Sequence, residues 1–111
     1  MKKFIVIYHA PATWSGMKNA SPEDMKKGME QWMKWAQKCG TGLVDMGTPL
    51  NGGQKLSKSS NTPSKRGVMG YSILQADSMK KAIEMLKGHP HLEWANQCEI
   101  EVHECMPTPG Q

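Results

Sequence analysis

The sequence predicts an α+β protein, a ferredoxin-like βαββαβ plait with an extra hairpin arm in its middle. Two observations carry this prediction. Apolar strand-like runs alternate with two capped helices in the order strand, helix, strand, strand, helix, strand. The first and third strands are apolar on both faces, as central strands are, while the last alternates, as an edge strand does. The 111 residues fit a single domain over 1–111, with order expected over roughly residues 1–106.

The chain opens on a strand, KFIVIYHA, at Lys3–Ala10, which is rich in β-branched and aromatic side chains. Its apolar run is continuous, which predicts that both faces are covered. The next segment, Pro11–Ala20, is longer than the roughly 2–6 residues usual between a strand and a helix. Long connections of this kind are often binding loops, and this one carries Trp14.

A helix start follows at Ser21-Pro22-Glu23-Asp24. Serine can cap the helix, proline suits the first helical position, and the two acids meet the positive end of the helix dipole. Gly40 is expected to end this helix. The predicted core-facing stripe comprises Met25, Met29, Trp32, Ala36 and Cys39.

The middle of the chain has weaker patterns. Gly42–Leu50 predicts a second strand, and Asn51-Gly52-Gly53 predicts a tight turn into a short arm, Gln54–Lys58. The polar segment Ser59–Gly67 is rich in turn residues, which predicts a flexible surface loop.

The second half repeats the strand–helix–strand pattern. Asp77 or Ser78 caps the second helix, and Gly88 ends it. Its predicted apolar stripe is Met79, Ala82, Ile83 and Leu86. The strands are predicted at Val68–Ala76 and Glu99–Glu104, with a short helical turn at His89–Gln97 between the helix and the last strand.

The predicted plait leaves one sheet face bare. Both helices cover the same face, so the apolar side chains on the other face need a partner. A second copy packing sheet against sheet would supply it in a closed two-fold pair. We therefore expect a homodimer, a dimeric α+β barrel.

Composition and charge exclude several classes of function. The net charge of +4 has no long basic run, and the basic middle segment lacks interleaved aromatic residues, so no nucleic-acid partner is expected. No segment approaches a membrane span, and no signal-peptide core follows the first residues, which predicts a cytoplasmic protein with no membrane partner. The three cysteines form no CxxC pair, as in a reduced compartment. No phosphate-cradling glycine motif is present, and we predict no cofactor.

His9 and Asp45 are the sharpest candidate catalytic pair. His9 ends the first strand beside the long loop, and Asp45 lies within the second strand. Within hydrogen-bond reach, Asp45 could orient His9 as a general base. The alternative, which we favour, is that His9 bonds a nearby backbone group while Asp45 serves a turn or a dimer contact.

His89-Pro90-His91 is the other histidine cluster. Alternate histidines can converge on a metal ion, but no third ligand stands at a suitable spacing, so no metal site is predicted. The motif more simply ends the second helix, with His89 at the negative end of the dipole. The candidate ligand-binding residues are aromatic and histidine side chains of the strands, the long loop and this turn: Tyr8, Trp14, Tyr71, His89, His91 and Trp94.

The segment GYSILQADSMKKAIEMLKGHPHL, followed by EIEV, resembles the YCII-related family, especially its DGPF-domain branch. The strand ending in Tyr8, the Ser-Pro-Glu cap and Gly47-x-Pro49 also fit, and the resemblance covers most of the chain outside residues 55–67. It implies a dimeric α+β barrel, and a few such relatives cleave halide from hydroxylated aromatic rings through a His–Asp pair. The Asp-Gly-Pro-Phe signature itself is absent, and Asp24 stands where the branch's catalytic histidine would fall.

These features support two main hypotheses of function. In the first, the protein is an enzyme of simple proton transfer or elimination on a small aromatic or anionic metabolite, with His9 as the base. In the second, it is a non-catalytic ligand-binding or accessory module. A weaker third hypothesis is a nucleic-acid accessory factor.

Overall fold

A computed structural model describes residues 1–11, 21–94 and 97–107 of the chain, except for the side chain of Trp94. The strands are β1 (Lys2–His9), β2 (Leu43–Asp45), β3 (Gln54–Leu56), β4 (Asn61–Pro63), β5 (Val68–Ala76) and β6 (Glu99–Glu104). The helices are α1 (Pro22–Cys39), α2 (Met79–Leu86) and α3 (Pro90–Trp94), with a 3₁₀ turn at Gly40–Gly42. None of the helices in the described ranges combines the length and the apolar character needed to span a bilayer.

Four strands form an antiparallel sheet in the order β2-β5-β1-β6. The first and third core strands therefore lie in the centre, which confirms the prediction from their continuous apolar character. β6 is an edge strand, and its exposed and half-buried residues alternate as predicted. The strand order is that of a ferredoxin-like plait.

Both long helices begin with the predicted capping residues. At α1, the Asp24 backbone N–H donates to the Ser21 hydroxyl (3.1 Å), and the Ser21 N–H donates to the Asp24 carboxylate (3.4 Å). This reciprocal pair satisfies two of the backbone donors that a helix start leaves open. At α2 it is Ser78, not Asp77, that accepts from a backbone N–H, that of Lys81.

The core lies between the helices and one face of the sheet. Trp35 is the buried residue of α1, and its indole N–H donates to the carbonyl of Met85 at 2.9 Å. The predicted stripe of α1 is therefore wrong at Met25 and Met29, which are exposed, because the two indoles of Trp32 and Trp35 turn their own side of the helix inward. The buried cluster contains Phe4, Val6, Tyr8, Trp35, Leu74, Ala76, Ala82 and Leu86.

The predicted stripe of α2 also needs one change. Ile83 is exposed, and Met85 packs against the core in its place. Met85 lies beside the end of α1 and the turn that follows it, because its backbone carbonyl accepts from Trp35 and its side chain lies against Gly42.

The middle segment is more ordered than predicted. β3 and β4 pair as an antiparallel hairpin, with Lys55 opposite Thr62. The segment expected to be a flexible loop thus contains a strand, Asn61–Pro63. At the foot of this hairpin, the backbone N–H of Ser64 donates to the carbonyl of Gly53 at 2.9 Å.

Candidate functional site

Two hydrogen bonds hold His9 at the end of β1, one at its carbonyl oxygen and one at its ring. The β1–β5 register shifts between Tyr8 and His9, a bulge of the kind that often lies beside functional sites. Behind the strand, the ring Nε2 of His91 donates to the carbonyl oxygen of His9 at 2.8 Å. In front, Nδ1 of His9 lies 2.8 Å from the carbonyl oxygen of Arg66. A carbonyl only accepts, so Nδ1 carries the proton of the neutral ring, and its Nε2 is left as the basic nitrogen.

Glu101 lies against that nitrogen. In the β1–β6 register Glu101 stands opposite Ile7, which places its side chain diagonally beside His9 on the same face. One carboxylate oxygen is 2.6 Å from Nε2 of His9, and the other is 3.6 Å from Nε2 of His103. The nearer oxygen is not aligned for a hydrogen bond, and the contact becomes an ion pair only when Nε2 also carries a proton.

The two members of the pair differ in access to solvent. Nε2 of His9 is enclosed, whereas the Glu101 side chain is 54% exposed. A molecule approaching from solvent would therefore meet the carboxylate first, with the imidazole behind it. This order makes Glu101 the member of the pair that can exchange a proton with a ligand.

An open cleft of about 700 Å³ lies beside this pair. The side chains that line it include both cations and acids. The lining residues lie at the end of β1, just before β5 and at the start of β6. The lining residues are His9, Ala10, Pro11, Lys65, Arg66, Gly67, Gln97, Glu99, Ile100 and Glu101.

The structure does not bring Asp45 to His9. Asp45 pairs with Ile73, which stands opposite Ile5, so Asp45 lies two strands away from β1 and four residues short of His9 along it. Its carboxylate instead accepts from the backbone N–H of Gly47 at 2.9 Å. The geometry is that of the alternative hypothesis, in which His9 bonds a backbone carbonyl and Asp45 serves a turn. Glu101 occupies the place beside His9 that was expected for Asp45.

Tyr8, His89 and His91 lie inside the protein, and none of them is among the described residues that line this cleft. The backbone N–H of His91 donates to Nδ1 of His89, so the proton of the neutral His89 ring is on Nε2. That N–H faces the Tyr8 hydroxyl at 3.2 Å, and the hydroxyls of Tyr8 and Ser72 are 2.7 Å apart. Ser72 in turn donates to the carbonyl of Met46 at 2.7 Å. The donors thus run in one direction, from His89 through Tyr8 and Ser72 to Met46.

Burial keeps this network uncharged. It lowers the pKa of His89 to about 3, with a smaller contribution from the neighbouring His91. It raises the pKa of Tyr8 to about 12, against the opposing effect of the hydrogen bond that Tyr8 donates to Ser72. Burial also lowers the pKa of His91, although its bonds to the backbone of His9 and Glu99 oppose this. At neutral pH the network positions the backbone of β1 and does not exchange protons.

The remaining candidates are dispersed. Tyr71 is half-buried on the sheet face that the helices leave open, opposite Ile7. Trp14 and the side chain of Trp94 lie outside the described residues. Within the described ranges, no group of three or more histidine, cysteine or acidic side chains is arranged to hold a metal ion.

Sequence reasoning missed Glu101 and Arg66. The alternation of β6 placed Glu101 on the polar side of the strand, and nothing in its sequence distance from His9 linked the two. The signal was in the topology: pairing β1 with β6 in the antiparallel sense brings the end of one strand to the start of the other.

No protein-family model matches the chain, and no curated protein sequence matches it. Among solved structures, its fold is similar to that of 5-chloro-2-hydroxyhydroquinone dehydrochlorinase from Burkholderia phenoliruptrix, in complex with 2,5-dihydroxybenzoquinone. The match has a TM-score of 0.52 and 13% identity, and it covers 90% of each chain. At this identity the similarity shows the fold alone.

Proposed function

We propose that the protein is a YCII-related small-molecule-binding protein in which the His9–Glu101 pair transfers a proton during an elimination on a small aromatic or anionic metabolite. The observation that carries the proposal is the 2.6 Å contact between the two side chains beside an open cleft. Acids, bases and their orienting partners are expected in such juxtapositions.

The two residues take different parts in the step. Glu101 faces the cleft, so its carboxylate accepts the proton from the bound molecule. His9 lies behind it, and its ring is fixed by the carbonyl of Arg66, so it can share that proton through Nε2. Hydrogen bonds in unliganded sites are often poorly aligned and tighten on binding. The contact between Glu101 and Nε2 of His9 is poorly aligned in this way.

An elimination needs little else from the protein. The substrate C–H or O–H proton goes to Glu101, and the leaving group departs with its bonding electrons, so the molecule loses the elements of an acid and needs no redox partner. The fold neighbour supports this choice of reaction, because its name describes the removal of hydrogen chloride from a chlorinated hydroquinone.

The alternative is a non-catalytic ligand-binding or accessory module. The enclosure of Nε2 of His9 favours it, since a base that cannot reach solvent cannot act on a ligand directly. The two proposals differ in the role of Glu101. In the enzyme it accepts a proton from the substrate, whereas in the non-catalytic module it only helps to bind the ligand.

The test is a turnover assay on a panel of chlorinated hydroquinones that includes 5-chloro-2-hydroxyhydroquinone, with chloride release and quinone absorbance as readouts. Positioned acid–base groups contribute about 10²–10⁴-fold to rate, so Glu101→Gln and His9→Asn should each lower turnover by about 100-fold or more. Asparagine can still donate to the carbonyl of Arg66, so the local fold is kept. Glu84→Gln, which removes an exposed acid on α2, is the matched control and should leave turnover unchanged.

Undiminished chloride release by Glu101→Gln would contradict the assignment of the base. No release from any member of the panel, together with binding of the same compounds, would favour the non-catalytic module.

We also propose that a second copy of the chain covers the open sheet face. Ile5, Ile7, Tyr71 and Ile73 are adjacent in the β1–β5 register and half-buried there, and none of the helices in the described ranges packs on them. Glu101 stands at the rim of this face, so a partner sheet would enclose the cleft and exclude water from the pair.

A further inference from the structure

A second cleft, of about 520 Å³, lies at the foot of the β3–β4 hairpin. It is lined by Lys55, Thr62, Pro63, Lys65 and Arg66. Lys65 and Arg66 line the first cleft as well, so the two clefts adjoin across these two residues. A single small molecule can therefore contact both.

The hairpin cleft is positively charged and has no acidic side chain in its lining. The ion pairs of the described residues involve Lys2, Lys81, His9 and His103 as the basic partners, and none involves Lys55, Lys65 or Arg66. Three like charges around one concave surface repel one another, and a bound anion relieves that repulsion. The first cleft is different, since Glu99 and Glu101 line it.

The cationic side chains stand on an ordered backbone. The N–H of Ser64 donates to Gly53 across the hairpin foot, and the N–H of Arg66 donates to the Ser64 hydroxyl at 3.4 Å. The carbonyl of Arg66 accepts from the ring of His9, and the N–H of Ala10 donates to the carbonyl of Gly67 at 2.9 Å. The arm is thus fixed to the end of β1, at the position of the His9–Glu101 pair.

We propose that Lys55, Lys65 and Arg66 bind an oxyanion group, carboxylate or phosphate, of the same molecule whose reacting part lies at Glu101. The second half of this statement rests on the proposed function; the anion site itself does not. An arginine fork matches the two oxygens of a carboxylate or phosphate, the lysines add point charges, and the Thr62 hydroxyl adds a donor. The substrate class is a small ring compound that carries an acid group.

The test compares two probes that differ by one carboxylate, hydroquinone and 2,5-dihydroxybenzoate, in calorimetric titrations of the full chain. A carboxylate held by charged donors should bind about 10-fold tighter than the neutral probe, and the double variant K65Q/R66Q should abolish this preference. Both substitutions leave the backbone carbonyl that holds His9. Lys58→Gln, which removes a charge from the same arm but lines neither cleft, should keep the preference.

Comparing phenyl phosphate with 2,5-dihydroxybenzoate shows whether the site prefers a phosphate or a carboxylate group. Tighter binding of phenyl phosphate than of 2,5-dihydroxybenzoate assigns the site to phosphate esters, and the reverse assigns it to carboxylates. Equal binding of hydroquinone and 2,5-dihydroxybenzoate, a preference that survives in K65Q/R66Q, or no binding of any anionic probe overturns the proposal.

The outcome is separable from that of the proposed function. If the anion preference depends on Lys65 and Arg66 but Glu101→Gln retains turnover, the anion site stands and the proton-transfer assignment fails. If turnover depends on Glu101 while the anion preference is absent, the proton-transfer assignment stands and the anion site fails.

Discussion

At the scale of single residues, Glu101 is an exposed acid on an edge strand. Its sequence context alone does not distinguish it from any other surface acid. Only the strand register shows that Glu101 is near His9: Ile7 stands opposite Glu101, and His9 lies one diagonal step away. The sequence singled out His9 as a candidate base, although the favoured alternative was a bond to the backbone, and the structure places His9 beside a cleft. It could not predict the carboxylate, because Asp45 and Glu101 are both acids on polar strand positions and only strand order decides which one is near.

His89 makes the free energy of unfolding decrease at acidic pH. Its folded-state pKa of about 3 lies below the ordinary value of 6.5, so the unfolded chain binds a proton over this range and the folded chain does not. Stability is therefore full above about pH 6.5 and falls as the pH decreases, by up to about 1.4 kcal/mol per pH unit from this residue.

Urea denaturation at pH 7 and pH 5 measures this effect. We expect His89 to account for a loss of about 2 kcal/mol between the two values, with His91 adding in the same direction. His89→Gln should show a smaller pH-dependent loss, whatever its stability at pH 7, and His103→Asn, which changes an exposed ring, should behave like the wild type. An unchanged loss in His89→Gln would contradict the prediction.

At the scale of elements, strong local signals predicted the long elements well. α1 begins and ends as its Ser21 cap and Gly40 predict, and β5 and β6 have the predicted bounds. The prediction was weak where local signals are short: β2 spans only Leu43–Asp45, and β4 lies in a stretch whose Thr62-Pro63 sequence is typical of a loop. Its pairing with β3 depends on contacts that no local pattern encodes.

The joint between the hairpin arm and β1 depends on Gly67. Its φ of +71° is in the left-handed region, and an added Cβ would overlap the carbonyl oxygen of Ala10. Gly52 has nearly the same φ, +67°, but open space around it, so it is a matched control. Gly52→Ala should cost about 1 kcal/mol, the price of the backbone conformation alone.

Gly67→Ala should cost at least about 2 kcal/mol more than Gly52→Ala, since the overlap adds to the backbone strain. Thermal and urea unfolding of both variants check this difference. Equal destabilisation would show that the arm moves freely away from β1, which would also weaken the connection between the anion site and His9.

At the scale of the whole molecule, one face of the sheet has no helix of the described residues packed on it. Its central residues are apolar, and the helices pack on the opposite side. Strand periodicity predicted this face from sequence, because β1 and β5 are apolar at successive positions.

The proposed homodimer predicts the effect of a charge on this face. Ile73→Glu should convert a dimer to a monomer, since a carboxylate would be buried between two sheets. Met33→Glu, on the exposed side of α1, adds the same charge away from the sheet and should leave the mass unchanged. Size-exclusion chromatography with light scattering gives the answer, and a monomeric wild-type protein would contradict the proposal.

The ¹H–¹⁵N spectrum of the His9 ring at neutral pH, recorded for the wild type and for Glu101→Gln, shows whether His9 and Glu101 act together. We expect a proton on Nδ1 in both proteins, because the Arg66 carbonyl accepts it, and an Nε2 signal that moves when Glu101 loses its charge. Glu84→Gln should leave that signal in place. An unprotonated Nδ1, or an Nε2 signal indifferent to Glu101→Gln, would contradict the claim that His9 and Glu101 act as one proton-transferring unit.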